Sequence, residues 1–287
     1  MKGLILAGGH GTRLYPLTKA ISKQLLPVFD KPMIYYPLSA LMLAGIREIA
    51  VIASPEQLTN FQILLGDGSR FGVELSYIVQ KEPRGLADAY IVASGYLGGK
   101  SSVMILGDNL FYGVGLGQSL VVHSQVVSGA RVFGAQVADP TSYGILKLDS
   151  TGNAVSIVEK PEQYVGNIAI PGLYFFDGTA SDRVRSQVPS KRGELEIVDL
   201  MNSYLEDGKL EYSLLARGTV WLDMGTPSGL AEAGEFVRIV QRRQQTLIAC
   251  LEEIALRLGY LSEEELSTIV ADTPNGSYRS YLESLLN

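Results

Sequence analysis

Gly8-Gly9-His10-Gly11-Thr12-Arg13 sets three glycines in four positions just before an arginine, and Lys19 and Lys23 follow within ten residues. Backbone N–H groups freed of side-chain bulk can close on phosphate oxygens, and the three cations supply charge that amides lack. The first 31 residues carry five Lys/Arg against a single acid, Asp30, inside a chain of formal net charge -6. That excess of positive charge marks an anion site, although the loop alone would also serve as a tight strand-to-helix turn. Two acids, Asp108 and Asp223, each end an apolar run. Together they could hold one Mg²⁺ whose remaining positions are filled by phosphate oxygens and water, or each could cap a turn. Glu159-Lys160-Pro161 could set a hydroxyl acceptor beside a phosphate-binding cation, or form a solvated hairpin end.

Other chemistries find little support. Leu14 stands where a dinucleotide fingerprint needs its third glycine, and no G-x-x-x-x-G-K-[ST] run exists. Tyr143 and Lys147 have the spacing of a dehydrogenase pair, but Gly144 and β-branched Ile145 favour a strand, on which the two would not share a helical face. His10 and His123 are the only histidines and lie far apart, and no G-x-S-x-G occurs. Trp221, the only tryptophan, reads as a core residue.

The elements that must position these residues alternate. Lys2 to Ala7, Glu48 to Ala53, Glu74 to Gln80 and Ser102 to Gly107 read as strands, with helices over Met33 to Ala44, Glu56 to Leu65 and Leu86 to Tyr96. That repeat predicts an α/β fold whose mostly parallel sheet is covered on both faces. With the doubly wound strand order 3-2-1-4, the first and fourth strands are neighbours, and the glycine loop meets Gly107-Asp108-Asn109 at the carboxyl edge. From Arg131 to Phe176 the pattern turns strand-rich, over Val132 to Gln136, Gly144 to Leu148, Val155 to Glu159 and Ile168 to Phe176. This predicts a second, smaller lobe. Leu210 to Leu215 and Val220 to Leu222 are further strands, after which the chain is helical. Thr226-Pro227 fits an N-cap followed by proline, and Ser262 with Glu265 fits a capping box.

With 287 residues, 46% of them hydrophobic, the chain can bury a large core. No apolar stretch approaches the roughly 18 to 20 residues of a membrane helix, and the four-residue apolar start lacks a cleavage site, so no membrane association or secretion is expected. Cys250 is the sole cysteine, which excludes an internal disulfide and fits a cytoplasmic location. A pI near 5.1 argues against nucleic acid as a partner and leaves small anions.

Taken together, G-G-H-G-T-R-L-Y-P-L-T at 8 to 18, S-K-Q-L-L-P-V at 22 to 28 and K-P-M at 31 to 33 resemble the sugar-phosphate nucleotidyltransferases. The resemblance continues through Gln80, Pro83, Gly85-Leu86-Ala87, Gly107-Asp108-Asn109, Tyr143-Gly144, Glu159-Lys160-Pro161, Gly172-Leu173-Tyr174 and Trp221-Leu222-Asp223, and so spans nearly the whole chain. It implies a Rossmann-like, doubly wound mixed sheet. A catalytic core would cover 1–226, its nucleotide-binding part about 1–130 and its sugar-binding part about 131–226, with a helical segment at 227–287 for packing or oligomerisation. It further implies that Gly8, Gly9, Gly11, Thr12, Arg13 and Lys23 hold a nucleoside triphosphate, while Gln24, Gln80 and Gly85 read a thymine. Asn109, Tyr143, Gly144, Glu159, Lys160 and Tyr174 would take the sugar phosphate, Asp108 and Asp223 would hold Mg²⁺, and Arg13, Lys23 and Lys160 would be the catalytic cations.

Gly-Leu-Ala at 85 to 87 resembles the thymidylyl branch, where uridylyl relatives tend to carry Gly-Thr-Ala. The implied reaction joins dTTP and glucose 1-phosphate into dTDP-glucose and pyrophosphate, at the entry to deoxysugar and rhamnose synthesis, in a homo-oligomer, a tetramer by resemblance. His10, where serine is common, and Lys81-Glu82-Pro83-Arg84 depart from the family pattern around the nucleotide. A UTP-using uridylyltransferase and a non-catalytic nucleotide-sugar regulator are the alternatives.

Overall fold

A computed structural model describes residues 1–125 and 128–286. The strands are β1 (Lys2–Leu6), β2 (Pro27–Val28), β3 (Lys31–Pro32), β4 (Glu48–Ala53), β5 (Glu74–Val79), β6 (Ser102–Leu106), β7 (Asn109–Tyr112), β8 (Ala130–Gln136), β9 (Gly144–Leu148), β10 (Ala154–Glu159), β11 (Ile168–Ala169), β12 (Leu173–Phe176), β13 (Leu210–Leu214) and β14 (Val220–Asp223). The helices are α1 (Tyr35–Leu43), α2 (Pro55–Leu65), α3 (Asp88–Val92), α4 (Ser94–Leu97), α5 (Leu116–Gln125), α6 (Ala180–Arg185), α7 (Ile197–Glu206), α8 (Pro227–Gln244), α9 (Leu251–Arg257), α10 (Glu263–Asp272) and α11 (Ser277–Ser284).

The first four sequence-predicted strands pair in parallel in the order β5-β4-β1-β6, which is 3-2-1-4. Their side chains alternate between two cores. Ile5, Val51 and Ile105 face one side with Leu38 and Phe61, while Leu4, Ile52 and Met104 face the other with Tyr90 and Tyr204. Both sets are buried, so these strands read as continuous apolar runs.

The strand-rich region does not build a separate sheet. β12 pairs antiparallel with β6, and β8, β11, β9 and β10 follow outward, so one mixed sheet runs through both halves of the chain. The segment expected as one strand over 168 to 176 divides at Pro171-Gly172: β11 pairs with β8 and β9, β12 with β6 and β8. Proline cannot donate to a ladder, which is the physical reason for the break. The helix expected over Leu86 to Tyr96 is likewise two short helices, α3 and α4, meeting at Ala93.

Thr226 caps α8 by accepting from the Gly229 N–H at 3.1 Å, with Pro227 in the first turn, and Ser262 and Glu265 form the expected capping box on α10. The apolar face of α8, with Ala233 and Val237, packs on Val28, Met33, Tyr36 and Met224. Cys250 is buried, and burial pushes its thiol up to about 12. Among the described residues no helix is long and apolar enough to cross a membrane.

Candidate active site

The site is built where parallel strands end. β1 empties into the glycine loop, where Gly11 adopts φ 64° and the Thr18 hydroxyl donates to its carbonyl at 2.9 Å, turning the chain into a short 3-10 turn at Thr12–Leu14. A second 3-10 turn, Lys23–Leu25, brings the Lys23 ammonium onto Asp108 Oδ2. Asp108 ends the Gly107-Asp108 turn between β6 and β7, and β7 pairs antiparallel with β14 in a two-stranded ribbon. Asp223 stands opposite Asn109 in that register, and Met224 N–H continues the ladder to Asp108 O at 2.9 Å. The ribbon is therefore the device that carries Asp223 to Asp108.

Gly225 measures how close these groups come. A methyl group there would lie 2.5 Å from Arg13 Nη2, 2.9 Å from Asp223 Oδ1 and 3.1 Å from Asp108 Oδ2. The two carboxyl groups have different environments. Burial pushes Asp108 up, but the Lys23 charge and hydrogen bonds from Lys23 and Asn109 more than offset it and hold the carboxyl below its ordinary value. Asp223 is raised, first by burial and then by the neighbouring Asp108 charge, against the Gly225 N–H that bonds its Oδ1 at 2.9 Å.

Gly9, Arg13, Lys23, Gln24, Asp108, Asn109, Tyr143, Gly144, Glu159, Lys160, Tyr174 and Asp223 all line one cavity of about 320 Å³. A neighbouring cleft of about 800 Å³ shares Arg13, Tyr143, Trp221 and Asp223 with it. Gly8, Gly11, Thr12, Gln80 and Gly85 lie outside the lining of the smaller cavity. Gly8 backs onto the Gln80 side chain, and Gly85, at φ 107°, packs so closely on Leu195 that a methyl group would lie 2.4 Å from its carbonyl oxygen. Tyr174 is buried, and burial pushes its phenol up.

Lys160 has φ 43°, a left-handed conformation that costs a non-glycine residue on the order of 1–2 kcal/mol. Its N–H donates to Tyr143 O at 2.9 Å, which holds the turn that aims the side chain into the cavity beside Glu159.

Trp221 and Arg192 are among the cavity residues that the sequence did not assign to the site. Trp221 is half-buried, and its Nε1–H donates to Asn109 Oδ1 at 2.6 Å while its ring meets Tyr143 edge-on, centroids 5.1 Å apart. Trp221 packs against the main core, as expected, and in addition forms part of the cavity wall and orients Asn109. Arg192 lines the same cavity, bonding both Glu196 oxygens at 2.9 Å and standing 3.8 Å from Glu159. Nothing in Lys191-Arg192-Gly193-Glu194 separates it by sequence from an exposed charged loop. Among the described residues the cavity holds four cations, Arg13, Lys23, Lys160 and Arg192, against five carboxylates, Asp108, Glu159, Glu194, Glu196 and Asp223.

Comparisons with known proteins agree with this architecture. The nucleotidyl transferase family model matches residues 2–239. A glucose-1-phosphate thymidylyltransferase of Neisseria gonorrhoeae is 52% identical over 286 residues, covering 100% of this chain and 99% of that protein. One from Xanthomonas campestris pv. campestris is 50% identical over 99% of this chain and 96% of its own. Among solved structures, a candidate glucose-1-phosphate thymidylyltransferase from Bacillus anthracis, in complex with sucrose, superposes with a TM-score of 0.76 at 36% identity, covering 83% of this chain and 95% of that one. With a family model over residues 2–239 and relatives about half identical along the whole chain, the chain belongs to the nucleotidyl transferase family, among the glucose-1-phosphate thymidylyltransferases.

Proposed function

We propose that the chain joins dTTP and glucose 1-phosphate into dTDP-glucose, releasing pyrophosphate. The observation that carries this reading is the convergence of Arg13, Lys23, Lys160 and Arg192 on one cavity that Asp108 and Asp223 also line. A phosphate oxygen of the sugar phosphate attacks the α-phosphorus of the triphosphate opposite the oxygen that bridges to the β-phosphorus; the new P–O bond forms as the bond from the α-phosphorus to that bridging oxygen breaks, and its electron pair leaves on pyrophosphate. The nucleophile is already anionic, so no general base is required. This accords with His10 being exposed and His123 packing against Phe133 elsewhere. The barrier is mostly repulsion and alignment of two anions, which fixed cations lower by clamping both.

Arg13 and Lys23 belong to the glycine-loop side and take the triphosphate, with Gly8, Gly9, Gly11 and Thr12 shaping the loop. Gln24, Gln80 and Gly85 meet the base. Lys160 and Arg192 take the sugar phosphate, and Asn109, Tyr143, Gly144, Glu159 and Tyr174 the sugar. The residues present fit Mg²⁺: Asp108 and Asp223 each bring a carboxylate oxygen up against Gly225, and carboxylates outnumber cations in a cavity that must accept two polyanions. Mg²⁺ is typically held by one or two carboxylates plus substrate phosphates, which matches the two aspartates that line this cavity. Asp108 and Asp223 would hold it, and when bound it supplies charge neutralisation of the phosphates. The C-terminal helices, α8 to α11, would serve a homo-oligomer, a tetramer by resemblance, working in the cytoplasm.

The test is pyrophosphate release with Mg²⁺ from dTTP and from UTP, each with glucose 1-phosphate and other sugar 1-phosphates. Turnover is expected for dTTP with glucose 1-phosphate, and no turnover with any pair would instead favour a nucleotide-sugar regulator. Lys160→Ala should lower kcat/KM for glucose 1-phosphate by roughly tenfold to a hundredfold, the worth of one charge-assisted bond. Its effect on dTTP binding, measured by calorimetry, should be much smaller, and equal losses would contradict the assignment.

A further inference from the structure

Two buried amides at the carboxyl edge of the sheet each have one end anchored and the other free. Gln80, 4% exposed, follows β5, and its Nε2–H donates to Asp88 Oδ2 at 2.9 Å. Asp88 is 1% exposed, and its other oxygen accepts from Arg84 Nη2 at 2.8 Å. A carboxylate held in this way accepts hydrogen bonds and donates none, so the Gln80 amide cannot be reversed without setting oxygen against oxygen. Gln80 Oε1 therefore faces the glycine loop, where a methyl group on Gly8 would lie 2.5 Å from it, and among the described residues no group donates to it. Gln24, 1% exposed, is the complement: its Oε1 accepts from Ser22 Oγ at 2.5 Å, and its Nε2 lies beside Gly107, 3.3 Å from where a methyl group there would be.

We infer that Asp88, held by Arg84, is a positioning residue for nucleobase selection. It fixes Gln80 as an acceptor, so that a free acceptor on Gln80 and a free donor on Gln24 meet a pyrimidine with N3–H next to a C4 carbonyl. Thymine and uracil present that edge. Cytosine presents the reverse, an acceptor N3 beside an amino group, and would set acceptor against acceptor and donor against donor. Ser22 cannot impose orientation as Asp88 does, because a hydroxyl both donates and accepts. The inference rests on the reading of Gln80 and Gln24 as base-contacting residues.

The experiment measures kcat/KM for dTTP and for dCTP, with Mg²⁺ and saturating glucose 1-phosphate, in the full chain and in Asp88→Asn, Arg84→Ala and Gln80→Met. Asparagine offers either an oxygen or an NH₂ group, so Gln80 is freed to reverse. The dTTP-over-dCTP ratio should then fall by about tenfold or more. Arg84 is exposed, so Arg84→Ala leaves packing intact, and it should move the ratio in the same direction by a smaller factor. A merely structural role would slow both nucleotides equally, and an unchanged ratio in both variants overturns the inference. If Gln80→Met lowers the ratio while Asp88→Asn does not, only the role of Asp88 falls. If Gln80→Met also leaves the ratio unchanged, the base-contact reading falls with it.

Discussion

Asp108 and Asp223 are neighbours of the same type with opposite shifts, because Lys23 is paired with one and not with the other. An aspartate whose carboxyl is raised in the fold costs stability wherever it is ionised, and that cost is present at neutral pH. Asp223→Asn should therefore raise the Tm of the metal-free protein in chelator, while lowering turnover by about 10³-fold through lost transition-state stabilisation. A lowered Tm together with near-normal turnover would remove Asp223 from the site. At this scale the sequence was informative where a residue's type implied its task. Arg13, Lys23, Asp108, Lys160 and Asp223 all reach the cavity. Arg192 and Trp221 were illegible because their roles depend on which segments fold back over the strand ends, and local patterns carry no trace of that.

Elements bring these residues together through three devices: parallel strand ends, the β7–β14 ribbon, and a main-chain stitch between two loops. In the stitch, Leu195 N–H donates to Arg84 O at 2.7 Å and Ala87 N–H donates to Leu195 O at 3.1 Å, which ties the loop after β5 to the segment carrying Arg192. Gly85 makes that approach possible. Gly85→Ala combines a disfavoured φ with a backbone clash, so it should cost roughly 2 kcal/mol or more. Denaturant unfolding measures this, and an unchanged midpoint would contradict the close packing. The parallel strands were legible because Leu4 to Ala7 and Ile49 to Ala53 are apolar throughout, as strands buried on both faces must be. The β7–β14 ribbon was only half legible: Val220 to Leu222 read as a strand, but Asn109 to Tyr112 did not, because Gly107-Asp108-Asn109 reads as the end of the preceding strand and only three apolar residues follow it.

Across the whole molecule, the C-terminal helices are fastened to the core by buried charge. Lys31, 3% exposed, pairs with Asp30 at 2.6 Å and donates to Gln241 Oε1 of α8 at 3.1 Å. Farther along, Glu252, 1% exposed, accepts from Arg70 Nε at 3.0 Å and from the Tyr278 hydroxyl at 2.5 Å. Arg70→Met would leave Glu252 buried without its cation, a loss of about 2 kcal/mol, below the fully buried case because Arg70 is 39% exposed. Equilibrium unfolding should show this loss while kcat per folded molecule stays near that of the parent chain. The helical character of this region was legible from caps such as Thr226 and Ser262; its fastening was not, because Lys31 and Gln241, or Arg70 and Glu252, lie far apart in sequence. The central claim is that both anions are clamped for a direct displacement at the α-phosphorus. The most direct measurement is the stereochemical course with a dTTP chiral at that phosphorus by sulfur substitution. A single in-line displacement by glucose 1-phosphate predicts inversion, with pyrophosphate released only when the sugar phosphate is present; retention, or release without it, would contradict the account.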